Sequence, residues 1–492
     1  MALLAPARLS SLEVALFARY LIATVRAERG GQGAVRALQR QRLSRVIAAA
    51  RKTHLYAAAL QEHPGADPEA QLAALPPTSK GAFLARLEDT LAEPRTHRAE
   101  LEAWVRAPER AGQLLRDRYV VAMTSGTTGQ VGIFLNDLDS WAATRAITFA
   151  RIFRNDLQVR SLVTRLRPER FRMAFVVASG GHYMTSLLAS RVPPIGALLS
   201  DAQVVSIESP VPVIIERLNL LRPHLLHSYP TLLELLAHEQ RRGALQIVPE
   251  LITAGSEPLT PSCRALLNEV FPRSRLVETY AATECVPMAT SCHLGALHIN
   301  EDACLLEGVD ERGEPVPFGE RAERVWVTNL LNTAQPLLRY ELNDQAVFRA
   351  GQCLCGSPFQ VIEVHGRSDD TFYLRDELGA WQAHPPIPLE LLFLSVPGLL
   401  QYQLVHERQN QLRVLFVTEP GTSGQRVAAH IEIAFSRYLA DHGLEHSVGY
   451  SLEEVGAIER PRDSRKVRQI VSRVKRPEAE ARLGLTVRER KA

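Results

Sequence analysis

From about residue 119 onward, short β-branched runs alternate with stretches of helical period, and that alternation restricts the folds open to this chain more than any other feature. The runs cover residues 173–178, 203–207, 224–228, 247–254 and 275–280. Strands separated by helices argue for α/β layers with largely parallel strands. A chain of 492 residues also exceeds what one hydrophobic core usually serves, so two or more domains are expected. After Gly366 the character changes: the runs 400–405 and 412–418, separated by the polar stretch 406–411, read as a hairpin, and 425–442 reads as an amphipathic helix. The expected architecture is a large α/β N-terminal domain over residues 1–367, its first 80 residues mainly helical, and a small C-terminal α+β lid domain over 368–492, joined by a hinge of a few residues.

The apolar stretch 11–25 is interrupted by Glu13 and Arg19 and followed by Arg26. It falls short of the roughly 20 residues that a membrane span needs, and no small-residue cleavage site follows, so it reads as an amphipathic helix capped at Ser10 with Glu13 three residues on. Further on, Leu75-Pro-Pro-Thr-Ser-Lys80 breaks the helical pattern and caps a new helix. With 46% hydrophobic and 23% charged residues the composition is that of an ordinary globular protein, and a net charge of +3 points neither to nucleic acid nor to an anionic membrane. Six cysteines without an export signal are expected to be reduced, in a cytoplasmic setting.

Directly after the apolar run 119–123 comes Thr124-Ser-Gly-Thr-Thr-Gly129. Glycines let a backbone approach a ligand closely, and hydroxyls with loop amides offer donors to phosphate oxygens. It is not a Walker loop: Gly126 and Gly129 are too close together, and Gln130 stands where a Lys would be needed. Taken alone, such a cluster is more often just a solvent-exposed turn than a phosphate site.

Four further stretches carry chemistry. Ala254-Gly-Ser-Glu-Pro258 follows a buried-looking strand, where open α/β sheets bind ligands, though it also reads as a plain strand-to-helix turn. Tyr280-Ala-Ala-Thr-Glu284 offers an aromatic to stack a base, a hydroxyl for phosphate and a carboxylate for Mg²⁺, or else a packed Tyr and a helix cap. Residues 339–344 (Arg-Tyr-Glu-Leu-Asn-Asp) and 366–370 (Gly-Arg-Ser-Asp-Asp) suit ribose hydroxyls and phosphate, or surface ion pairs. Lys466, in Ser464-Arg-Lys-Val467, is on composition a solvated lysine in a basic stretch.

The order of these pieces resembles the adenylate-forming superfamily of acyl-CoA synthetases, peptide-synthetase adenylation domains and luciferases, from about residue 40 to 472. The likeness is to its phenylacetate-CoA ligase-like branch: Leu75-Pro-Pro-Thr-Ser-Lys80 resembles that branch's Leu-Pro-x-Thr-x-Lys, and Gly295-Ala-Leu-His-Ile-Asn-Glu-Asp302 its Gly-x-x-His-Ile-x-Glu-Asp. What the resemblance implies is an ATP-binding site in which Ser125, Gly126, Thr127, Thr128 and Gly129 hold the β- and γ-phosphates. Gly255, Ser256, Glu257 and Pro258 would line the nucleotide site, with Tyr280 and Ala281 against adenine. Thr283 would bond the α-phosphate, Glu284 would ligate Mg²⁺, Asp344 would accept from the ribose hydroxyls and Arg367 would support ribose or phosphate. Asp369 would be the hinge and Lys466 the catalytic lysine.

For the acid, the resemblance implies a pocket near Gly181, His182 and Tyr183, with His227 and Tyr229 forming another wall; an aromatic acid suits these residues, and a turn with a core Tyr is the alternative. Cys353-Leu-Cys-Gly356 resembles a zinc-bearing subset of the branch, so Cys292, His298, Cys353 and Cys355 are read as a closed structural Zn²⁺ site. Cys263, Cys285 and Cys304 read as packed residues. The chain departs from the family pattern at Gln130 and Val131, Ala281, Leu342 and Asn343, and Arg465, while Glu284, Asp344 and Lys466 stand where the pattern has them.

The implied activity is ATP-dependent activation of a small carboxylic acid as acyl-AMP, with pyrophosphate released and the acyl group then passed to a thiol, coenzyme A foremost. Alternatives are transfer to an acyl carrier protein or an amine, coenzyme nucleotidylyl transfer, and non-catalytic nucleotide binding. A homodimer would be unsurprising for the branch.

Overall fold

The computed structural model describes residues 10–474 except 64, 94, 125–131, 154–169, 179–180, 191–199, 208, 210, 368–371, 378, 380, 385–388, 390–391, 394–395 and 459–468. It is a mixed α/β structure in two compact units. The first comprises Met1–Leu259, Cys263–Leu342 and Ala346–Glu363, the second Thr260–Ser262, Asn343–Gln345 and Val364–Ala492.

The chain begins with α1 (Ser11–Arg29) and α2 (Gly31–Ala50). The expected capping box closes the first turn of α1: Glu13 N–H donates to the Ser10 hydroxyl and Ser10 N–H to the Glu13 carboxylate. No described helix is long and apolar enough to cross a membrane. Short helices α3 (Ala57–Gln61), α4 (Pro68–Ala73), α5 (Lys80–Ala85) and α6 (Arg98–Val105) follow, and Ser79 caps α5 as its sequence predicts.

A hairpin of β1 (Tyr119–Met123) and β2 (Ile133–Asp137) leads into α7 (Leu138–Ile152). Then come β3 (Phe171–Val177), α8 (Met184–Ser190), β4 (Ser200–Ser206), α9 (Val211–Leu221), β5 (Leu225–Ser228), α10 (Pro230–Arg241), β6 (Leu251–Gly255), α11 (Pro261–Val270) and β7 (Arg275–Ala282). Strands β3 to β7 pair in parallel, as the alternation required. Beyond β7 the sheet turns antiparallel, through β8 (Cys285–Ser291) and β9 (Leu297–Ile299). It then adds β15 (Val361–Arg367), β14 (Asp344–Arg349) and β11 (Arg321–Ala322), giving the order β11-β14-β15-β9-β8-β7-β6-β5-β3-β4. A smaller antiparallel sheet joins β10 (Cys304–Val309), β12 (Arg324–Asn329) and β13 (Tyr340–Leu342).

The main core lies between the parallel strands and α9, α10 and α11, with Leu218, Leu226, Leu233 and Leu236 fully buried. Within α10, Glu234 lies against this core, and burial pushes its carboxyl up to about 7. A carboxylate raised in this way holds its proton more tightly in the folded chain, so the folded state is penalised progressively as pH climbs from the ordinary Glu range near 4.3 to about 7. Glu234→Gln is therefore expected to stabilise the protein by up to about 2–3 kcal/mol at pH 8 and by almost nothing at pH 4.5. Denaturant midpoints at the two pH values check this; a gain equal at both would remove the buried-carboxyl explanation.

A buried ion network ties the N-terminal helices to this unit. Arg151 of α7, 2% exposed in its side chain, reaches Asp302 at 2.6 Å, Glu28 of α1 at 2.7 Å and Asn300 at 3.0 Å, while Arg42 of α2 pairs with the same Asp302. The Arg151 guanidinium also lies 4.4 Å over the Phe359 ring.

The second unit holds the expected hairpin, β18 (Leu399–Arg408) with β19 (Gln411–Thr418), within a four-stranded sheet completed by β20 (Gly449–Glu454) and β21 (Ile470–Ser472). Helix α12 (Gly424–Asp441) covers it with Val427, Ile431 and Phe435. A separate two-stranded pair, β16 (Phe372–Arg375) and β17 (Trp381–His384), belongs to the same unit.

Candidate active site

The Ser/Thr/Gly loop spans the tip of the β1–β2 hairpin. Thr124 N–H donates to the Gly132 carbonyl at 2.9 Å, and Gly132 N–H donates back to the Thr124 hydroxyl at 2.8 Å, which closes the loop at its neck. Ser125, Gly126, Thr127, Thr128 and Gly129 themselves lie outside the described residues. Next to the neck, Met123 N–H donates to the His182 carbonyl at 2.8 Å, and Tyr183 bridges Met123 in parallel. This stitches the 181–183 segment to the loop strand.

The side chains there are mostly spent on the scaffold. His182 is 1% exposed, its Nε2 lies 3.2 Å from the Ala107 carbonyl, and burial holds its pKa below the usual range. Gly181 has no room for a Cβ beneath the Tyr183 ring. The Tyr229 hydroxyl accepts from Ala178 N–H at 3.1 Å, which fixes the end of β3. His227 is buried at the end of β5, with Nδ1 2.8 Å from the Thr253 hydroxyl; burial keeps it neutral, with its pKa lowered to about 4. Of these residues Tyr183 keeps the most exposure.

At the carboxyl end of β6, Gly255 is required because a Cβ would run into the Thr279 hydroxyl, and Ser256 takes a left-handed φ of 68°. Pro258 follows Glu257, whose carboxylate accepts from Thr231 N–H at 3.2 Å and from the Thr231 hydroxyl at 2.8 Å, capping the start of α10. The turn reading of this stretch is thus realised in part, with Glu257 serving a helix.

Tyr280 and Ala281 lie on β7, and Thr283 with Glu284 forms the tight turn to β8, after a register shift between Tyr280 and Ala282. Glu284 is 8% exposed. Its carbonyl accepts from Asn329 Nδ2 at 3.0 Å, and its Oε1 accepts from the Tyr340 hydroxyl at 3.3 Å. One apolar cluster gathers Val120 and Ala122 of β1, Met184 and Leu187 of α8, and Ala281 and Val286 beside the turn. It brings the β1–β2 hairpin, the 181–183 segment and the Tyr280–Glu284 turn around one centre. Sequence reasoning missed Asn329 altogether and treated Tyr340 only as part of a ribose motif.

Arg339 is spent differently from the sequence expectation. Its guanidinium donates to the carbonyls of Ala73 at 3.1 Å and Leu75 at 2.8 Å, pairs with Glu307 at 3.1 Å and stacks 4.5 Å over Trp326. Together with Thr78 N–H to the Arg339 carbonyl at 3.0 Å and Glu341 N–H to the Thr78 carbonyl at 2.9 Å, it clasps the Leu75–Lys80 segment to β13. Asp344 opens β14 and Arg367 ends β15, and both count with the second unit. Asp369 and Lys466 lie outside the described residues.

Cys292, His298, Cys353 and Cys355 converge, with their ligand atoms all within 4.8 Å of one another. His298 Nδ1 donates to the Phe359 carbonyl at 2.9 Å, which turns Nε2 toward Cys355 Sγ, 3.3 Å away. Burial pushes the Cys355 thiol up to about 11, with Cys353 and Cys292 adding to the rise and Ser357 N–H opposing it. Three thiols and an oriented imidazole fit a tetrahedral divalent site, whose cation would favour the thiolates that burial disfavours. Cys263, Cys285 and Cys304 are buried, as expected of packed residues.

No family model matches the chain. It is similar to the phenylacetate-coenzyme A ligase of Thermus thermophilus, 26% identical over 398 residues that cover 77% of this chain and 79% of that enzyme. Among solved structures, 2-hydroxyisobutyryl-CoA ligase in its postadenylation state with 2-HIB-AMP matches at a TM-score of 0.63 and 17% identity, covering 89% of each chain. The same ligase with R3-HIB-AMP matches at 0.61 and 18%, again over 89% of each. The fold is that of these solved ligases, and in sequence the chain is similar to a phenylacetate-coenzyme A ligase, in line with the resemblance its motifs carry.

Proposed function

We propose that the chain is an ATP-dependent, AMP-forming acid–thiol ligase that activates a small carboxylic acid, aromatic acids foremost, and passes the acyl group to coenzyme A. The observation that carries this is the convergence of the β1–β2 hairpin, the 181–183 segment and the Glu284 turn on one apolar cluster. The name of the Thermus relative supports it, as does a fold neighbour solved with both 2-HIB-AMP and CoA at a TM-score of 0.51 and 17% identity.

In the first step an acid carboxylate oxygen bonds to the α-phosphorus of ATP while the α–β phosphoanhydride breaks and pyrophosphate leaves with the electron pair. In the second, the coenzyme A thiolate attacks the acyl carbon and AMP departs. Ser125, Thr127 and Thr128 hold the phosphates, Tyr280 and Ala281 face adenine, Thr283 bonds the α-phosphate, and Asp344 and Arg367 orient the ribose. Lys466 places its ammonium on the developing phosphoryl charge when the 368–492 lid domain closes about Asp369. Mg²⁺ suits the site chemically, since Glu284 offers hard carboxylate oxygens, and when bound it would neutralise phosphate charge. We assign Zn²⁺ to Cys292, His298, Cys353 and Cys355 as a closed structural ion. A cytoplasmic setting fits six cysteines that are all free thiols.

ATP–pyrophosphate exchange over a panel of aromatic, fatty and amino acids tests the reading, followed by mass analysis of the product with coenzyme A, a phosphopantetheinyl carrier protein or an amine as acceptor. Acid-dependent exchange and an acyl-CoA product are expected. ATP binding with no exchange for any acid would overturn the ligase and turn attention to coenzyme nucleotidylyl transfer or to plain nucleotide binding.

A further inference from the structure

We propose that Tyr340 is a positioning residue for the Mg²⁺-holding carboxylate of Glu284, a role that rests on the ligase reading above. Tyr340 is 0% exposed, and its hydroxyl donates to Glu284 Oε1 at 3.3 Å. Nothing among the described residues hydrogen-bonds the other oxygen, Oε2, so that oxygen is left for a cation. The turn bearing Glu284 is held from behind as well: Asn329 Nδ2 grips the Glu284 carbonyl, while Asn329 Oδ1 accepts from Leu331 N–H at 2.9 Å and Asn332 N–H at 3.2 Å.

Tyr340 is itself rigidly set. Its ring meets Phe83 edge to face, with centroids 5.3 Å apart at 90°, and its strand is bridged to Thr78. A carboxylate free to rotate must lose that freedom when it takes a metal, and a partner that fixes one oxygen beforehand removes that loss. Outer partners of this kind are typically worth a factor of about 10–100 in metal affinity. Without Tyr340 the Glu284 carboxyl would stay in place and lose its aim.

The test compares Tyr340→Phe, which removes only the hydroxyl, with Phe83→Leu, which weakens the ring packing and leaves the hydroxyl. Mn²⁺ binding to the full chain with ATP, read by electron paramagnetic resonance, and the Mg²⁺ dependence of pyrophosphate exchange are measured in each, with thermal midpoints alongside. Tyr340→Phe should weaken Mn²⁺ about tenfold, raise the Mg²⁺ concentration for half-maximal exchange in step, and recover near wild-type exchange at saturating Mg²⁺. Phe83→Leu should lower the thermal midpoint and shift the metal dependence much less than Tyr340→Phe, since the hydroxyl and the Thr78 bridge both remain. Unchanged Mn²⁺ affinity in Tyr340→Phe, or an equal shift in Phe83→Leu, would overturn the role. If the wild type shows no exchange at all, the ligase reading fails separately, and the Mn²⁺ comparison still decides the role of Tyr340.

Discussion

Lys466→Ala is expected to lower acid-dependent pyrophosphate exchange by about a hundredfold or more while leaving ATP binding within a few-fold of wild type. The reason is electrostatic. Bringing a carboxylate to the α-phosphorus joins like charges, and a single ammonium delivered at that moment stabilises the transition state far more than the ground state. Lys466→Arg keeps the charge but spreads it over a wider, planar group, so it should recover only part of the rate. The thiol-transfer half-reaction, assayed with pre-formed acyl-AMP and coenzyme A, should stay close to wild type if the lysine serves the first step, as proposed. Equal losses in both half-reactions would remove Lys466 from its assigned role.

Cys292→Ser or removal of metal by a strong chelator is expected to bring the second large effect, on stability. A closed site of three thiolates and one imidazole contributes its binding free energy to folding, about 10 kcal/mol or more in isolated zinc peptides and less where the surrounding core survives without it. Elemental analysis of wild type should give close to one zinc per chain, and the variant much less. Its thermal midpoint should fall by several degrees at least. The damage should spread to the N-terminal helices: Phe359 accepts from the site's His298 and lies under Arg151, which pairs with Glu28 of α1. Hydrogen exchange should therefore quicken across residues 11–50 in the variant. A metal-free wild type of unchanged midpoint would refute the site.

Much of the fold was legible because its strands are short and set apart by helical periods. The parallel half, β3 to β7, falls within a few residues of the expected runs. The run 247–254 overreached: only Leu251–Gly255 forms strand, because Pro249 cannot donate to a ladder, although Leu245 and Ile247 are buried all the same. The antiparallel half was hidden for a different reason. Strand β8 is buried along its whole length and shows no alternation to read.

In the site, motifs carried their positions but not their duties. Glu257 and Arg339 look like ligand groups in sequence and are engaged with a helix start and with backbone carbonyls. No local pattern could reveal this, since Arg339 meets Leu75 across 264 positions and Tyr340 meets Glu284 across 56. The convergence of Cys292, His298, Cys353 and Cys355 was visible only by resemblance, because the two halves of the set are joined by folding and not by spacing.

The clasp on residues 75–80 bears on how this chain can be taken apart. Thr78 and Arg339 make the opening of the chain a brace for the strand that carries Tyr340. An excised fragment starting after residue 80 would be a different object from a trimmed chain, and chimaeras that swap this region between relatives would swap the support of the proposed site with it. Modularity here follows the brace and not the order of the sequence.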